Sequence, residues 1–475
     1  MPKKNLIVVL GGIAVTILLL FLYPEYFANY SILGAAIVAE IIIIAVSHYK
    51  QAFFPLLVTT FLCAGIMWPY RGSFLYARWP ILATGAVAGF AVYMRDRNHH
   101  FGSFHLVACF CVLSAIVSAL VSAYPEEALL KALSLGLLFI YAASGGRTAV
   151  ILFQPWLFFR NLLIGCEILS LLTAILYFVF RWELFGNPNS LGAVMGVAVV
   201  PLMLWGLITA ETSARRRRLG AELIIALLLL MSSFARAAIG AAAVSCFLLC
   251  IASRQYRLLA KGVAAVVVLA IAAATFVPQP EEAPQWSGSE AITAMFLYKG
   301  HEDGGVLGSR RGVWSETWDV IKGNPWFGSG FGTSVTSADM TKMAFAKTHI
   351  DSWIIREHGN SYLAIAEWVG LLGVVPFILL LLLAAHNAAR VFLWVRSTGD
   401  FSSAALPAAA VVAAGLVHAA FEDWMFAVGY YVCVFFWTIA FILIDVMPHA
   451  SSVHTPETIV ALEERFQSAP LASLS

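Results

Sequence analysis

Arg236, Arg310, Arg311 and His358 are the residues of this 475-residue sequence whose types and settings invite chemistry. Arg236 stands alone among small residues, in Ser232-Ser233-Phe234-Ala235-Arg236-Ala237-Ala238-Ile239-Gly240, between two apolar runs joined by almost no loop. Charge placed in a hydrocarbon layer costs about 2.5–3.5 kcal/mol or more, and a planar guanidinium fork matches a phosphate. Contact between an extended side chain and lipid headgroups is the competing explanation. Arg310 and Arg311 open Arg310-Arg311-Gly312-Val313-Trp314. Two cations at a helix start oppose the helix dipole, which favours anions there. A bound anion would resolve that conflict, whether it is a ligand phosphate or a lipid headgroup. His358 sits where a polar stretch gives way to an apolar run, in Arg356-Glu357-His358-Gly359-Asn360-Ser361-Tyr362-Leu363. Histidine titrates near neutral pH and acts as a general base if it reaches the nucleophile. A hydrogen-bonded interfacial histidine would have the same sequence setting.

Further candidates carry equally plain structural explanations. In Asn187-Pro188-Asn189, preceded by Arg181 and Glu183, Asn187 is a ready helix cap and Pro188 a first-turn residue, which is sufficient reason for the motif. Glu367 inside one apolar run and Glu422 between two others are as suited to pairing with a basic residue as to meeting a ligand. There is no Walker phosphate loop, no H-E-x-x-H, no G-x-S-x-G and no Asp-rich metal motif. No cofactor and no metal are therefore expected.

The elements that must position these residues are set by composition. Apolar side chains make up 61% of the chain and charged ones 12%, against roughly 25% charged in soluble domains. That much apolar surface belongs in a bilayer, and the fold class expected is an all-α polytopic integral membrane protein. A span needs about 20 apolar residues, which gives about 12–14 transmembrane helices: near 6–23, 31–47, 52–68, 79–94, 104–123, 127–144, 160–180, 188–210, 219–235, 237–253, 258–277, 360–385, 403–420 and 424–446. The apolar stretch 148–158 is too short and reads as interfacial. Lys and Arg gather in alternate loops, at Lys3, Lys4, Lys50, Arg95, Arg97, Arg147, Arg160, Arg215 to Arg218, Arg254, Arg257, Lys261, Arg390 and Arg396. The positive-inside rule puts these loops and both termini in the cytoplasm. The N-terminal run lacks a small-residue cleavage site and reads as an uncleaved first span. The net charge of +2 gives no reason to expect nucleic acid. All seven cysteines fall in apolar stretches and read as small buried hydrophobes.

One polar stretch, 278–358, breaks the pattern and falls on the outer side by parity. Within it Trp314, Thr317, Trp318 and Ile321 share a helical face, Gly323-Asn324-Pro325 stops that helix, and Gly328-Ser329-Gly330-Phe331-Gly332 makes a tight turn. Met340 to Glu357 reads as a second amphipathic helix that buries Met343, Ile350, Trp353 and Ile354. The loop should be folded and lie on the membrane. The chain thus divides into N-terminal helices (1–180), a central helical core (181–277), the large outer loop (278–358), C-terminal helices (359–447) and a polar cytoplasmic tail (448–475).

The order of these motifs resembles the O-antigen ligase and O-antigen polymerase family. It runs Asn187-Pro188-Asn189, Ser233-Phe234-Ala235-Arg236, Arg310 to Trp314, Pro325 to Gly330, His358 to Leu363, then Glu367 to Gly370, and the likeness covers roughly 180–446. Two departures are Gly359, which separates His358 from Asn360, and Arg311, which doubles Arg310. The resemblance implies a bacterial inner-membrane glycosyltransferase. It would move a glycan from undecaprenyl diphosphate to an acceptor hydroxyl in the periplasm, by an inverting, metal-independent reaction. It also implies that Arg236 and Arg310, or its neighbour Arg311, hold the diphosphate and that His358 deprotonates or orients the acceptor. Arg181, Asn187, Asn189, Asn360, Tyr362, Glu367 and Glu422 would support them. The implied partners are the lipid-linked glycan donor, a glycan, lipid A core or protein acceptor, and membrane lipids. A transporter or flippase of lipid-linked sugars would also place arginines in a cavity. Such carriers work through internal repeats, and none is visible here. A non-catalytic subunit of a polysaccharide assembly is the third alternative.

Overall fold

Prolines and amide caps start the helices where the apolar runs begin. The computed structural model describes residues 48–68, 71–95, 101–151, 154–276, 308–334 and 357–448, with 42, 43, 45 and 46. In chain order the helices are α1 (Tyr49–Gly65), α2 (Arg71–Arg95), α3 (Ser103–Leu120), α4 (Pro125–Tyr141), α5 (Pro155–Ala174), α6 (Pro188–Ile208), α7 (Ser213–Ser232), α8 (Arg236–Ala252), α9 (Tyr256–Phe276), α10 (Gly308–Gly323), α11 (Ser361–Thr398), α12 (Ala405–Ala419) and α13 (Tyr431–Val446). Pro125, Pro155 and Pro188 occupy first turns, where the missing N–H has no partner to lose. Asn187 Oδ1 caps α6 by accepting from Asn189 N at 2.8 Å, and Asn360 Oδ1 caps α11 by accepting from Tyr362 N and Leu363 N.

The protein is all-α and has the make-up of a polytopic membrane protein. Among the described residues, six helices are long and apolar enough to cross a bilayer: α2, α3, α4 with its extension to Val150, α5 with its extension to Val179, α6 and α11. α8, α12 and α13 are shorter apolar helices. Large apolar side chains such as Leu113, Val117, Ile168 and Leu382 face outward, as a hydrocarbon solvent allows. Phe139, Phe377, Phe426, Trp437 and Phe441 form a chain of ring contacts, edge to face in Phe139–Trp437 and Phe377–Phe426 and tilted in the other two pairs.

Each span expected between 52 and 446 has a helix along most of its length, and the two before it lie outside the described residues except for 42, 43, 45 and 46. Three expectations change. The stretch 148–158 is no interfacial segment: Arg147–Ile151 continues α4 through a π turn at Ala142–Gly146, and Pro155 opens α5. The last span starts at Tyr431 and not at 424, because Trp424, Met425, Phe426 and Val428 are buried in a connecting turn. On α10 the buried positions are Thr317, Val320 and Ile321, and Trp318 is exposed. The seam against α11 follows the three- and four-residue spacing from Thr317, and Trp318 lies about 100° round the helix from it. The second amphipathic helix expected up to Glu357 lies, apart from Glu357, outside the described residues.

α11 breaks at Gly370, whose φ of 67° and ψ of −178° are closed to side chains. The break leaves carbonyls on one side and amides on the other to be satisfied. The turn after α10 satisfies both: Ser329 N donates to Glu367 O (2.9 Å) and Gly330 N to Trp368 O (3.1 Å), and Leu371 N donates to Pro325 O (2.7 Å). Ser118 Oγ also donates to Trp368 O, and Lys131 Nζ, from within the expected span 127–144, donates to Gly332 O at 2.6 Å. The outer-loop turn is thereby sewn to α3, α4 and α11.

Candidate active site

The start of α11 meets the α12–α13 connection and the start of α10. His358, three residues before the first residue of α11, is fully buried. Asp423 Oδ2 accepts from its backbone N at 2.7 Å and lies 3.3 Å from its Nδ1. On the other side of the ring, Nε2 is 2.9 Å from Ser334 Oγ and 3.2 Å from Glu367 Oε1. Trp368 packs edge-on to the imidazole, and its indole N–H donates to Ser334 Oγ at 3.2 Å. Burial acts to lower the His358 pKa, but hydrogen bonds and charge from Asp423 and Glu367 outweigh it and raise the value. For Asp423 burial acts to raise the pKa, and the bonds from His358 overcome it and hold the carboxyl below its ordinary range. His358 thus lies between two carboxyl groups that favour its charged form, and both of its ring nitrogens already have partners.

Arg310, in the first turn of α10, forms ion pairs with Glu422 and, at 3.3 Å, with Glu357. Burial raises the Glu422 pKa and Arg310 opposes that rise. Gly359 has φ +60°, and a Cβ there would strike Arg310 Nη1 at 2.4 Å. The glycine that departs from the family motif therefore makes room for the guanidinium. Arg311 is exposed. Arg236, at the first position of α8, is an electrostatic neighbour of Arg310.

A polar cavity of about 300 Å³ opens beside this cluster, bordered by Asn187, Asn189, Glu357, His418, Glu422 and Asp423. The Asp423 side chain is 25% exposed, which contrasts with the closed ring behind it. An apolar groove of about 400 Å³, walled by Phe54, Val58, Leu169, Val199 and Phe435, adjoins the cavity at Ala193. Tyr430 of the cavity and Tyr431 of the groove stand side by side, hydroxyls 3.3 Å apart.

The structure brings together Arg310, His358, Glu367, Glu422, Asn187 and Asn189, with Arg236 near Arg310. It leaves others aside. Arg181 is exposed and does not border the cavity. Tyr362 donates to Leu416 O at 2.5 Å, which ties α11 to α12. Asn360 serves as a helix cap. Sequence reasoning missed Asp423, Ser334 and His418. Asp423 did leave a signal, an acidic pair Glu422-Asp423 between two apolar runs, of which only the first was noticed. Residues 221–378 match a family model described as O-antigen ligase. No curated protein matches the chain.

Proposed function

We propose that this protein, whose residues 221–378 carry an O-antigen ligase family domain, transfers a glycan from undecaprenyl diphosphate to an acceptor hydroxyl on the periplasmic face of a bacterial inner membrane. The observation that carries this reading is the convergence of Arg310, His358, Glu422 and Asp423, from three separate stretches of chain, beside a polar cavity that adjoins an apolar groove. A diphosphate with an apolar chain suits that pairing: the head meets the arginines and the chain lies in the groove. To bind, it displaces Glu357 and Glu422 from Arg310 and gains bidentate bonds in their place.

In the transfer, the acceptor oxygen bonds to the anomeric carbon as the bond from that carbon to the phosphate oxygen breaks. The electron pair leaves with the diphosphate, and Arg310 and Arg236 stabilise the charge that develops there. The acceptor proton goes to Asp423, which borders the cavity and is partly exposed, because His358 is fully enclosed. His358 then acts as a positioning residue, holding Asp423 ionised and aimed. A carboxylate suffices as base, since the hydroxyl becomes strongly acidic once it bonds to the anomeric carbon.

The test is glycan transfer in proteoliposomes by purified protein, with a lipid-diphosphate-linked glycan as donor and a chelator present. Transfer with release of the lipid diphosphate supports the reading. Movement of the donor across the bilayer with no transfer to any acceptor overturns it and favours the transporter.

A further inference from the structure

His418, near the end of α12, borders the same cavity, and its Nδ1 accepts a hydrogen bond from Trp424 Nε1 at 2.6 Å. An indole N–H can only donate. Nδ1 must therefore carry no proton, and the imidazole is held as the Nε2–H tautomer. Protonating Nδ1 would break that bond and leave the Trp424 N–H buried without an acceptor, so the ring is also held neutral. Trp424 is itself 5% exposed and packed edge-on against Phe436, so it does not turn to follow a change in His418. Nε2 has no hydrogen-bond partner among the described residues, yet it is not among their sealed, unpaired polar atoms. The one open direction for its N–H is the cavity.

The rest of the lining fits that donor to a particular chemistry. Asn187 and Asn189 supply amides, Tyr430 a hydroxyl and aromatic edge, and Glu357, Glu422 and Asp423 supply acceptors. Arg310 is the nearby cation, and it is engaged by Glu357 and Glu422. Away from the arginines that meet the diphosphate, this set of carboxylates and neutral amides suits a neutral polyol, whose hydroxyls both donate and accept. We infer that this cavity is a saccharide subsite and that His418, locked by Trp424, donates from Nε2 to a sugar oxygen. The inference rests on the glycan-transfer reading and adds to it a residue that grips sugar, apart from those that meet the diphosphate or take the proton.

His418→Phe keeps the ring volume and removes both nitrogens. His418→Gln restores an acceptor for Trp424 and an N–H for the cavity. Transfer kinetics of both variants and wild type would be measured in proteoliposomes with donor and acceptor varied in turn, alongside thermal melting. His418→Phe is expected to raise KM for one sugar substrate about tenfold, the loss of one buried donor to an uncharged acceptor, with kcat changed much less. His418→Gln should recover most of that loss. Whether the KM that moves is the donor's or the acceptor's shows which sugar occupies the subsite. An unchanged KM for both, with protein still folded, overturns the inference. A second measurement is independent of transfer: calorimetric titration with oligosaccharide released by mild acid from the cell's own lipid-linked glycans. Binding to wild type and to His418→Gln but not to His418→Phe upholds the subsite even if no transfer occurs. Equal binding by all three, or none by wild type, removes it.

Discussion

Asp423 grips His358 at two points, taking the backbone N–H at 2.7 Å and facing Nδ1 at 3.3 Å with the same oxygen. One carboxylate oxygen thus fixes both the chain and the ring, while the Asp423 side chain borders the cavity. Asp423→Asn keeps an oxygen for the backbone N–H but can neither hold a negative charge nor take a proton. Transfer should fall by about 10²–10⁴-fold, the range of a lost general base, with a smaller loss of Tm than in His358→Ala, since the bond to the backbone N–H and the His358–Glu367 contact remain. His358→Ala behaves differently. It takes from Glu367, whose side chain is fully buried, its His358 partner, and breaking a buried pair from one side costs about 3–5 kcal/mol. Melting of the two variants in detergent separates the roles: if Asp423→Asn unfolds as early as His358→Ala, Asp423 is structural and not the base.

The same pair makes stability depend on pH from both sides. His358 has a raised pKa when folded. Its contribution is full below its unfolded value of about 6.5 and is lost as pH rises through the higher folded value. Asp423 has a lowered pKa when folded. Its contribution is present above about 3.9 and is lost as pH falls through the lower folded value. Tm should therefore form a plateau between about pH 4 and 6.5 and decline on either side. In Asp423→Asn the alkaline decline should begin at lower pH, since His358 keeps only Glu367 as a charged partner. Tm measured across pH for wild type and variant checks this, and coincident alkaline limbs would rule out the coupling.

Arg310 and Arg311 are adjacent in sequence and opposite in setting, one paired to Glu357 and Glu422 and the other exposed. Arg310→Ala should reduce transfer by about 10²–10³-fold, as expected for removing one donor to developing charge. Arg311→Ala should stay within a few-fold of wild type. Arg310→Lys keeps the charge but not the fork, and should recover only part of the loss. Initial rates at saturating donor decide it. Equal losses at the two arginines would mean that the cluster acts through net charge and that the geometry of Arg310 is incidental.

The fold was legible in the sequence because a bilayer demands long apolar runs, and α2 to α6 and α11 are such runs. Hydropathy failed where apolar residues are buried without forming a helix: Trp424 to Val428 extend the last run in composition, but hydrogen bonds such as Trp437 Nε1 to Met425 O hold them as a turn. The site was legible as types and not as partners. His358, Arg310 and Glu422 stood out as charges beside apolar runs, whereas the bond from His358 to Asp423 joins residues 65 apart and leaves no local pattern. His418 was hidden for a related reason. It sits within an apolar helix like any core histidine, and only Trp424, folded back onto it, determines which of its nitrogens carries the proton.

Gly370 links the outer-loop turn to the site. Its φ of 67° with ψ of −178° is accessible to glycine alone, and a Cβ there would meet backbone atoms of Trp326 and Gly328 at 2.5 Å. The break it makes exposes the carbonyls of Glu367 and Trp368 to Ser329 N and Gly330 N, and the same turn leads to Ser334 on the His358 ring. Gly370→Ala should lower stability by about 1–3 kcal/mol from backbone strain, and more if the turn cannot shift to relieve the clash. It should also weaken transfer, because unseating the turn withdraws Ser334 from His358. Gly312→Ala is the matched control: it lies within α10, nothing surrounds its Cβ position within 4 Å, and alanine there should stabilise by about 0.5–1 kcal/mol. Tm and transfer rate measured on both variants test the link. A Gly370→Ala protein that melts like wild type would show that the break in α11 does not depend on glycine and that the turn is held by other contacts.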